Sequence, residues 1–294
     1  MKVLMFGWEF PPHITGGLGT ACFGLTRGLA QNKVEVRFMV PKAYGDEDQS
    51  AVRLVDAGDV EVSSADDDFM QFWQHISYIE IGSSLIPYIS PEAFKKIAEE
   101  DIENSNAQSL KERVLKTKFR FSGKYGSDLL AEVSRYALIA GGLSIKFEFD
   151  IIHAHDWLTY PAGLAAKRIS GKPLVVHIHA TEFDRSGKNV NPNVYEIERK
   201  GMQGADRVIA VSDFTRKTVI EKYGIAPEKV VTVHNAIEPL ASKDTKELRH
   251  VNEKVVTFLG RLTQQKGPEY FVEAAHLVLQ RDKNVRFYNR KIEK

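Results

Sequence analysis

Short β-rich runs alternate with helical patterns along most of this chain, and that alternation constrains its fold more than any other feature. It is the pattern of a parallel sheet whose strands are joined by crossover helices. Val3–Phe6 is predicted as a buried first strand, Leu18–Gln31 as a helix and Val34–Val40 as a second strand closed by Pro41. Ala21, Leu25 and Leu29 share one face of that helix. Further on, Leu129–Ile145, Leu158–Ile169 and Val194–Gln203 read as helices, and Ile151–Ala154, Leu174–His179, Arg207–Val211 and Val230–His234 as strands. Ser212 is placed to cap one more helix, with Asp213 in its first turn and Gly224 as its stop. The segment Ala43–Asp68 is polar and ends in Asp66-Asp67-Asp68, so it is expected to be an excursion from the core. Ile76–Ile81 and Pro91–Glu103 are a candidate strand and a polar helix. Pro239–Glu253 is charged and poor in aromatics, and reads as a linker. A fresh strand, helix and strand follow at Val255–Leu259, Pro268–Gln280 and Val285–Tyr288. The expected division is a domain over 1–238, a linker over 239–253 and one βαβ unit over 254–294. Two strands and a helix bury too little surface to fold alone.

Composition narrows the class of partner. The 294 residues are 43% hydrophobic and 27% charged, as in soluble globular proteins. Lys+Arg (40) and Asp+Glu (39) cancel, so a nucleic-acid partner is not expected. No run approaches a membrane span, and Met1–Phe6 is too short for a signal peptide, so no membrane partner is expected. Cys22 is the only cysteine, which rules out an intrachain disulfide and fits a cytoplasmic location. It is read as a small buried residue on a helix.

Four segments carry chemistry. Pro11-Pro12-His13-Ile14-Thr15-Gly16-Gly17-Leu18-Gly19 follows the first strand and opens a helix. Consecutive glycines there let backbone N–H groups approach an anion, and the helix start adds positive potential. The segment lacks the spacing of a dinucleotide fingerprint and the lysine of a P-loop. His153-Ala154-His155-Asp156-Trp157 and His177-Ile178-His179-Ala180-Thr181-Glu182-Phe183-Asp184-Arg185 lie at two predicted strand ends, where open α/β sheets bind ligands. In a strand His153 and His155 share a face, as do His177 and His179, so zinc ligation is conceivable. Asp156 directly after His155, with Trp157 next, departs from the metallo-hydrolase pattern, and no metal is expected. Gly260-Arg261-Leu262-Thr263-Gln264-Gln265-Lys266-Gly267 places two cations in a turn, where they can clamp a diphosphate.

Together with Val208–Ser212 and His234–Glu238, these segments resemble the GT-B glycosyltransferases, most closely the glycogen-synthase-like members of bacteria and archaea. They stand in family order over nearly the whole chain. The resemblance implies two Rossmann-like domains facing across a cleft, the first holding the acceptor sugar and the second the nucleotide-sugar donor. It implies glucose transfer from ADP- or UDP-glucose to an α-1,4-glucan, with retention of configuration and no metal or other cofactor. Gly16, Gly17 and Leu18 would contact the donor, and His179 would sit over the transferring glucose. Asp156 would hold the acceptor or order the site, with Trp157, Glu182, Asp184 and Arg185 on the acceptor side. Arg261 and Lys266 would neutralise the departing diphosphate.

Two departures stand out. Many bacterial glycogen synthases carry a lysine just before the Gly-Gly pair, where this chain has Ile14 and Thr15. The family's donor-gripping glutamates have no counterpart after Arg286, so the chain is expected to be C-terminally truncated, with little activity. Its βαβ unit would leave strand edges open, a route to packing on the first domain or to a homodimer. The competing readings are a non-catalytic carbohydrate-binding module, a metal-dependent hydrolase, and a sucrose-phosphate-synthase-like or cell-wall glycosyltransferase.

Overall fold

The computed structural model describes residues 1–14, 16–63, 116–118, 121–123, 129–236, 252–260 and 262–291. Contacts within it group Met1–Thr181 with Pro192–Ala236, and Glu182–Asn191 with Ile237–Lys294.

The first unit is built on a seven-stranded sheet. Its strands are β1 (Lys2–Phe6), β2 (Glu35–Val40), β3 (Arg53–Asp56), β6 (Ile151–His155), β7 (Leu174–Ile178), β8 (Arg207–Ala210) and β9 (Val230–Thr232). They lie in the order β3-β2-β1-β6-β7-β8-β9, and every pairing is parallel. The chain grows outward from β1 to β3, then returns to the other side of β1 with β6. That reversal makes β1 and β6 the topological switch point, where an open α/β sheet leaves a crevice beyond its carboxyl ends. The central strands are buried on both faces, so they read as continuous apolar runs such as Val3-Leu4-Met5-Phe6. A short antiparallel pair, β4 (Glu61–Ser63) with β5 (Lys116–Lys118), stands apart from the main sheet.

Five helices described in this unit are α1 (Gly17–Gln31), α2 (Leu129–Lys146), α3 (Tyr160–Ser170), α5 (Pro192–Gly204) and α6 (Asp213–Tyr223). Ser212 Oγ accepts the Thr215 N–H at 3.0 Å, and Gly224 closes α6 at φ +66°. Both termini are those expected from the sequence. Tyr136 of α2 is fully buried, and its hydroxyl donates toward the carbonyls of Gly7 (3.0 Å) and Met39 (2.6 Å). One phenol thus ties the ends of β1 and β2 together and satisfies backbone acceptors that would otherwise be costly to bury.

One expectation is corrected. The polar segment after Pro41 is not wholly an excursion, because β3 pairs with β2 from Arg37↔Arg53 to Val40↔Asp56 and forms the sheet edge. An edge strand needs only one partner and tolerates charged residues, which is why its polarity misled. Leu54 supplies the apolar contact with the core. Asp56 then ends the strand by accepting the N–H groups of Ala43 and Gly58 at 2.9 and 2.7 Å. The expectations for Asp66–Asp68, Ile76–Ile81 and Pro91–Glu103 fall outside the described residues.

The second unit holds α4 (Glu182–Ser186), β10 (Lys254–Gly260), α7 (Pro268–Arg281) and β11 (Val285–Lys291). The strands are parallel, from Lys254↔Val285 to Gly260↔Lys291, with α7 as the crossover. Phe271 packs against Phe258 and Phe287, with ring centroids 5.5 and 5.7 Å away. Leu259 (65%), Val272 (62%) and Leu277 (60%) stay exposed, so this unit has only a thin core.

Helix packing over the first sheet depends on glycine. A Cβ at Gly201 of α5 would lie 2.6 Å from Tyr160 Cβ and 2.7 Å from its Cγ, atoms close to the α3 backbone that cannot swing aside. Gly201→Ala is therefore expected to cost about 1–3 kcal/mol. Urea unfolding checks this; an unchanged midpoint would mean that α3 and α5 do not pack this closely.

Candidate functional site

The site grows from two neighbouring strands. β6 ends in His153-Ala154-His155, and β7 ends in His177-Ile178 and runs on to His179. Alternate residues of a strand share a face, and the register sets His155 opposite His177. The rings form one layer. His153 and His177 stack with centroids 5.5 Å apart and planes 2° from parallel, and His177 and His179 stack at 4.3 Å. His155 lies 4.3 Å from His153 and 5.1 Å from His177. The two histidine pairs, each expected on one face of its strand, meet in this layer.

Burial decides the protonation state of this layer. His155 is 0% exposed, His177 4% and His153 9%. Burial pushes the pKa of His153 down to about 3 and that of His177 to about 2, with further lowering from His179. His155 is held well below its ordinary value, again chiefly by burial, with the neighbouring imidazoles adding to it. His179 is lowered by burial, although the nearby Asp156 carboxylate opposes the shift. All four rings are therefore neutral at pH 7.

Nitrogen atoms of His153, His155 and His177 lie within 4.8 Å of one another, and so do ligand atoms of Cys22, His155 and His179. Neutral imidazole is a good zinc ligand, but a metal ion lies in the plane of each ring that binds it. The stacked faces of His153 and His177 do not meet that condition without rotation.

Asp156 is the hinge of the site. It directly follows β6, is 8% exposed, and has φ +57°, a left-handed conformation uncommon for a residue with a side chain. That turn aims Oδ1 at the His179 N–H, 2.7 Å away, while its own N–H donates to the His177 carbonyl at 2.9 Å. The Thr159 hydroxyl donates to the His155 carbonyl at 2.7 Å, closing the turn into α3. Trp157 is half-buried within this turn.

The glycine loop follows β1, whose carboxyl end lies beside that of β6. Gly16 is the N-cap of α1 and, being glycine, has no side chain of its own to cap the helix. Gly17 has open space around its Cα, so its backbone is approachable, whereas Gly19 is held against Ile14 and Glu9. Leu18 packs its side chain toward the core. One turn further on, Cys22 is buried beside the imidazoles, and burial pushes its thiol well above the usual range, with the Asp156 and Glu9 charges adding to this. Buried on a helix, as expected, Cys22 also marks how near α1 comes to His155 and His179. Sequence spacing held no signal for that contact.

The remaining candidates lie in the second unit. Glu182 accepts from the Ser186 hydroxyl, from the Asn191 N–H at 3.0 Å and from Arg185 Nε at 3.4 Å, so its carboxylate closes α4 and the turn after it. Asp184 and Arg185 are half-buried on α4. Lys266 is exposed at the end of a 3-10 turn, just before Gly267 (φ +58°) starts α7. Arg261 lies outside the described residues. The first unit thus carries Gly16, Gly17, Asp156 and His179 beyond the carboxyl ends of the central strands β1, β6 and β7, and the other unit carries Glu182, Asp184, Arg185 and Lys266.

Comparison with known proteins agrees with this architecture. A family model described as Glycosyltransferase Family 4 matches residues 101–239. Among curated proteins, the chain is similar to the "Uncharacterized glycosyltransferase MJ1607" of Methanocaldococcus jannaschii, 27% identical over 96% of this chain and 60% of that protein. It is also similar to the "Glycogen synthase" of Mycobacterium tuberculosis, 22% identical over 91% of this chain and 56% of that protein. Among solved structures, the catalytic domain of starch synthase IV from Arabidopsis thaliana, bound to ADP and acarbose, superposes with a TM-score of 0.57 at 15% identity. That match covers 99% of this chain and 68% of the other. The chain therefore has the Rossmann-like fold of the GT-B glycosyltransferases and is similar to their family 4. It spans 60% and 56% of the lengths of these two curated relatives.

The histidine layer makes stability pH-dependent. The folded-state values lie below the ordinary histidine value of about 6.5, so only the unfolded chain takes up these protons as pH falls below it. Stability is expected to be flat above pH 7 and to fall below pH 6.5, by up to about 1.4 kcal/mol per pH unit for each buried histidine. Urea unfolding between pH 7 and 5, above most carboxylate titrations, measures the slope. His153→Leu should reduce it by about one histidine's share, and an equal slope in both proteins would contradict the burial.

Proposed function

We propose that this protein is a retaining glucosyltransferase of the glycogen/starch synthase type, moving glucose from ADP- or UDP-glucose to an α-1,4-glucan. One observation carries the reading. At the switch point of the sheet, Asp156 holds the His179 backbone N–H through a 2.7 Å bond, and α1 starts at a pair of glycines after the neighbouring strand. A helix start with approachable glycine backbone suits a diphosphate. A fixed, neutral imidazole next to it suits a polar group of the sugar. The similarity to a mycobacterial glycogen synthase and the shared fold with a starch synthase support the same choice of substrate.

In this mechanism the N–H groups at Gly17 and Leu18 hold donor phosphate oxygens, and the ring of His179 hydrogen-bonds the transferring glucose. Asp156 acts by holding His179, with Trp157 offering an apolar face to the acceptor. Glu182, Asp184 and Arg185 supply further polar contacts for a glucan. Arg261 and Lys266 bind the donor diphosphate and stabilise it as it leaves, the point at which negative charge grows most. Such a reaction needs positioning and fixed dipoles, and no step in it calls for a resident cofactor. The alternative of a carbohydrate-binding module has no observation in its favour over this one.

Incubation with radiolabelled ADP- or UDP-glucose and maltooligosaccharides tests the proposal, with label entering longer glucans at a low rate as the expected result. His179→Ala should lower kcat by about 10²- to 10³-fold with little change in the donor KM. Glucan binding without nucleotide binding would favour the binding-module reading, and transfer to a non-glucan acceptor would correct the substrate.

A further inference from the structure

Two of the four imidazoles are hydrogen-bonded to each other. His155 Nδ1 and His179 Nε2 lie 3.0 Å apart. A bond between two neutral imidazoles contains one proton, so one ring donates and the other accepts. Which one donates fixes the tautomer of both.

If His179 donates from Nε2, His155 must carry its own proton on Nε2. That atom is buried and has no hydrogen-bond partner among the described residues. An N–H would then be stranded without a partner among the described residues. If His155 donates from Nδ1, only a bare lone pair is left at its Nε2. A stranded donor is the rarer and costlier of the two in folded proteins, so the second arrangement is preferred. His179 must then carry its proton on Nδ1.

The other restraints on His179 agree. Its backbone N–H is held by Asp156, and one face of its ring stacks on His177. With Nε2 occupied by His155, Nδ1 is the ring nitrogen left to meet a ligand. His179 is only half-buried, unlike the other three histidines.

We propose that His155 is a positioning residue, which donates Nδ1–H to His179 and so makes His179 present an Nδ1–H donor to an oxygen of the bound nucleotide sugar. This rests on the functional reading above for the identity of the ligand, but not for the tautomer. The ligand chemistry follows from the donor. A hydroxyl or phosphate oxygen fits it, and a group that can only donate does not. The neutral ring gives direction without net charge, and stacking on His177 restrains the ring flip that would exchange its two nitrogens.

Long-range 1H–15N correlation spectra of the chain labelled in histidine nitrogen distinguish protonated from bare ring nitrogens. His179→Gln assigns the His179 signals by removing them. In the native chain without ligand, His179 is expected with Nδ1 protonated and Nε2 bare. In His155→Phe, His179 is expected to move to the Nε2–H form or a mixture, while His153→Phe leaves it unchanged. Nε2–H in the native chain, or no change in a folded His155→Phe, overturns the proposal. If His155→Phe does not fold, the native spectrum alone decides the tautomer. In transfer assays His155→Phe should lower kcat about tenfold or more, with the donor KM within about twofold. Unchanged kcat would overturn the positioning role. No transfer by the native chain with any nucleotide sugar would overturn the functional reading instead, and leave the tautomer result standing.

Discussion

The hydrogen bond from the His179 N–H to the Asp156 carboxylate is the interaction on which the rest of the site depends. It joins the ends of two parallel strands, next to the backbone bond from the Asp156 N–H to the His177 carbonyl. Asp156 can make it only by turning into the left-handed region, at a cost of about 1–3 kcal/mol. Its side chain and its own N–H, which donates to His177, offset that strain. Replacing it with glycine would relieve the backbone and lose the clamp. The strained residue is therefore a place where the fold gives up local stability to fix the backbone that carries an imidazole.

Behind the clamp lies a layer of neutral histidines in a position where most parallel sheets carry aliphatic side chains. Such a layer is poorer core than valine or isoleucine, because ring nitrogens of His153, His155 and His177 remain without partners among the described residues. The layer still packs by stacking, and the hydrogen bond that His155 makes goes to the histidine at the site. Structure and chemistry meet there. Burial keeps the rings uncharged, and the rings settle what His179 can offer a ligand.

Much of this was legible in the sequence, and the limits have physical causes. Buried parallel strands announce themselves as apolar runs, so β1, β6, β7 and β8 fell close to their expected bounds. The α6 cap and stop were readable because Ser212 and Gly224 act locally. Strand periodicity put each histidine pair on one face, and the pairing of β6 with β7 brought the two pairs together. Strand β3 was missed because edge strands need little apolar character. The left-handed turn at Asp156 and the approach of Cys22 to His155 and His179 are tertiary facts, set by packing between segments far apart in sequence. The short helix Glu182–Ser186 was missed too, since five residues are too few for periodicity to show.

The account centres on a nucleotide sugar bound where the start of α1 meets the Asp156–His179 clamp. Backbone amide shift mapping during titration with UDP-glucose or ADP-glucose tests this most directly. The amides of Gly17, Leu18, Asp156 and His179 are expected to shift together and saturate at one donor concentration. Saturable binding that leaves those amides unmoved would contradict it.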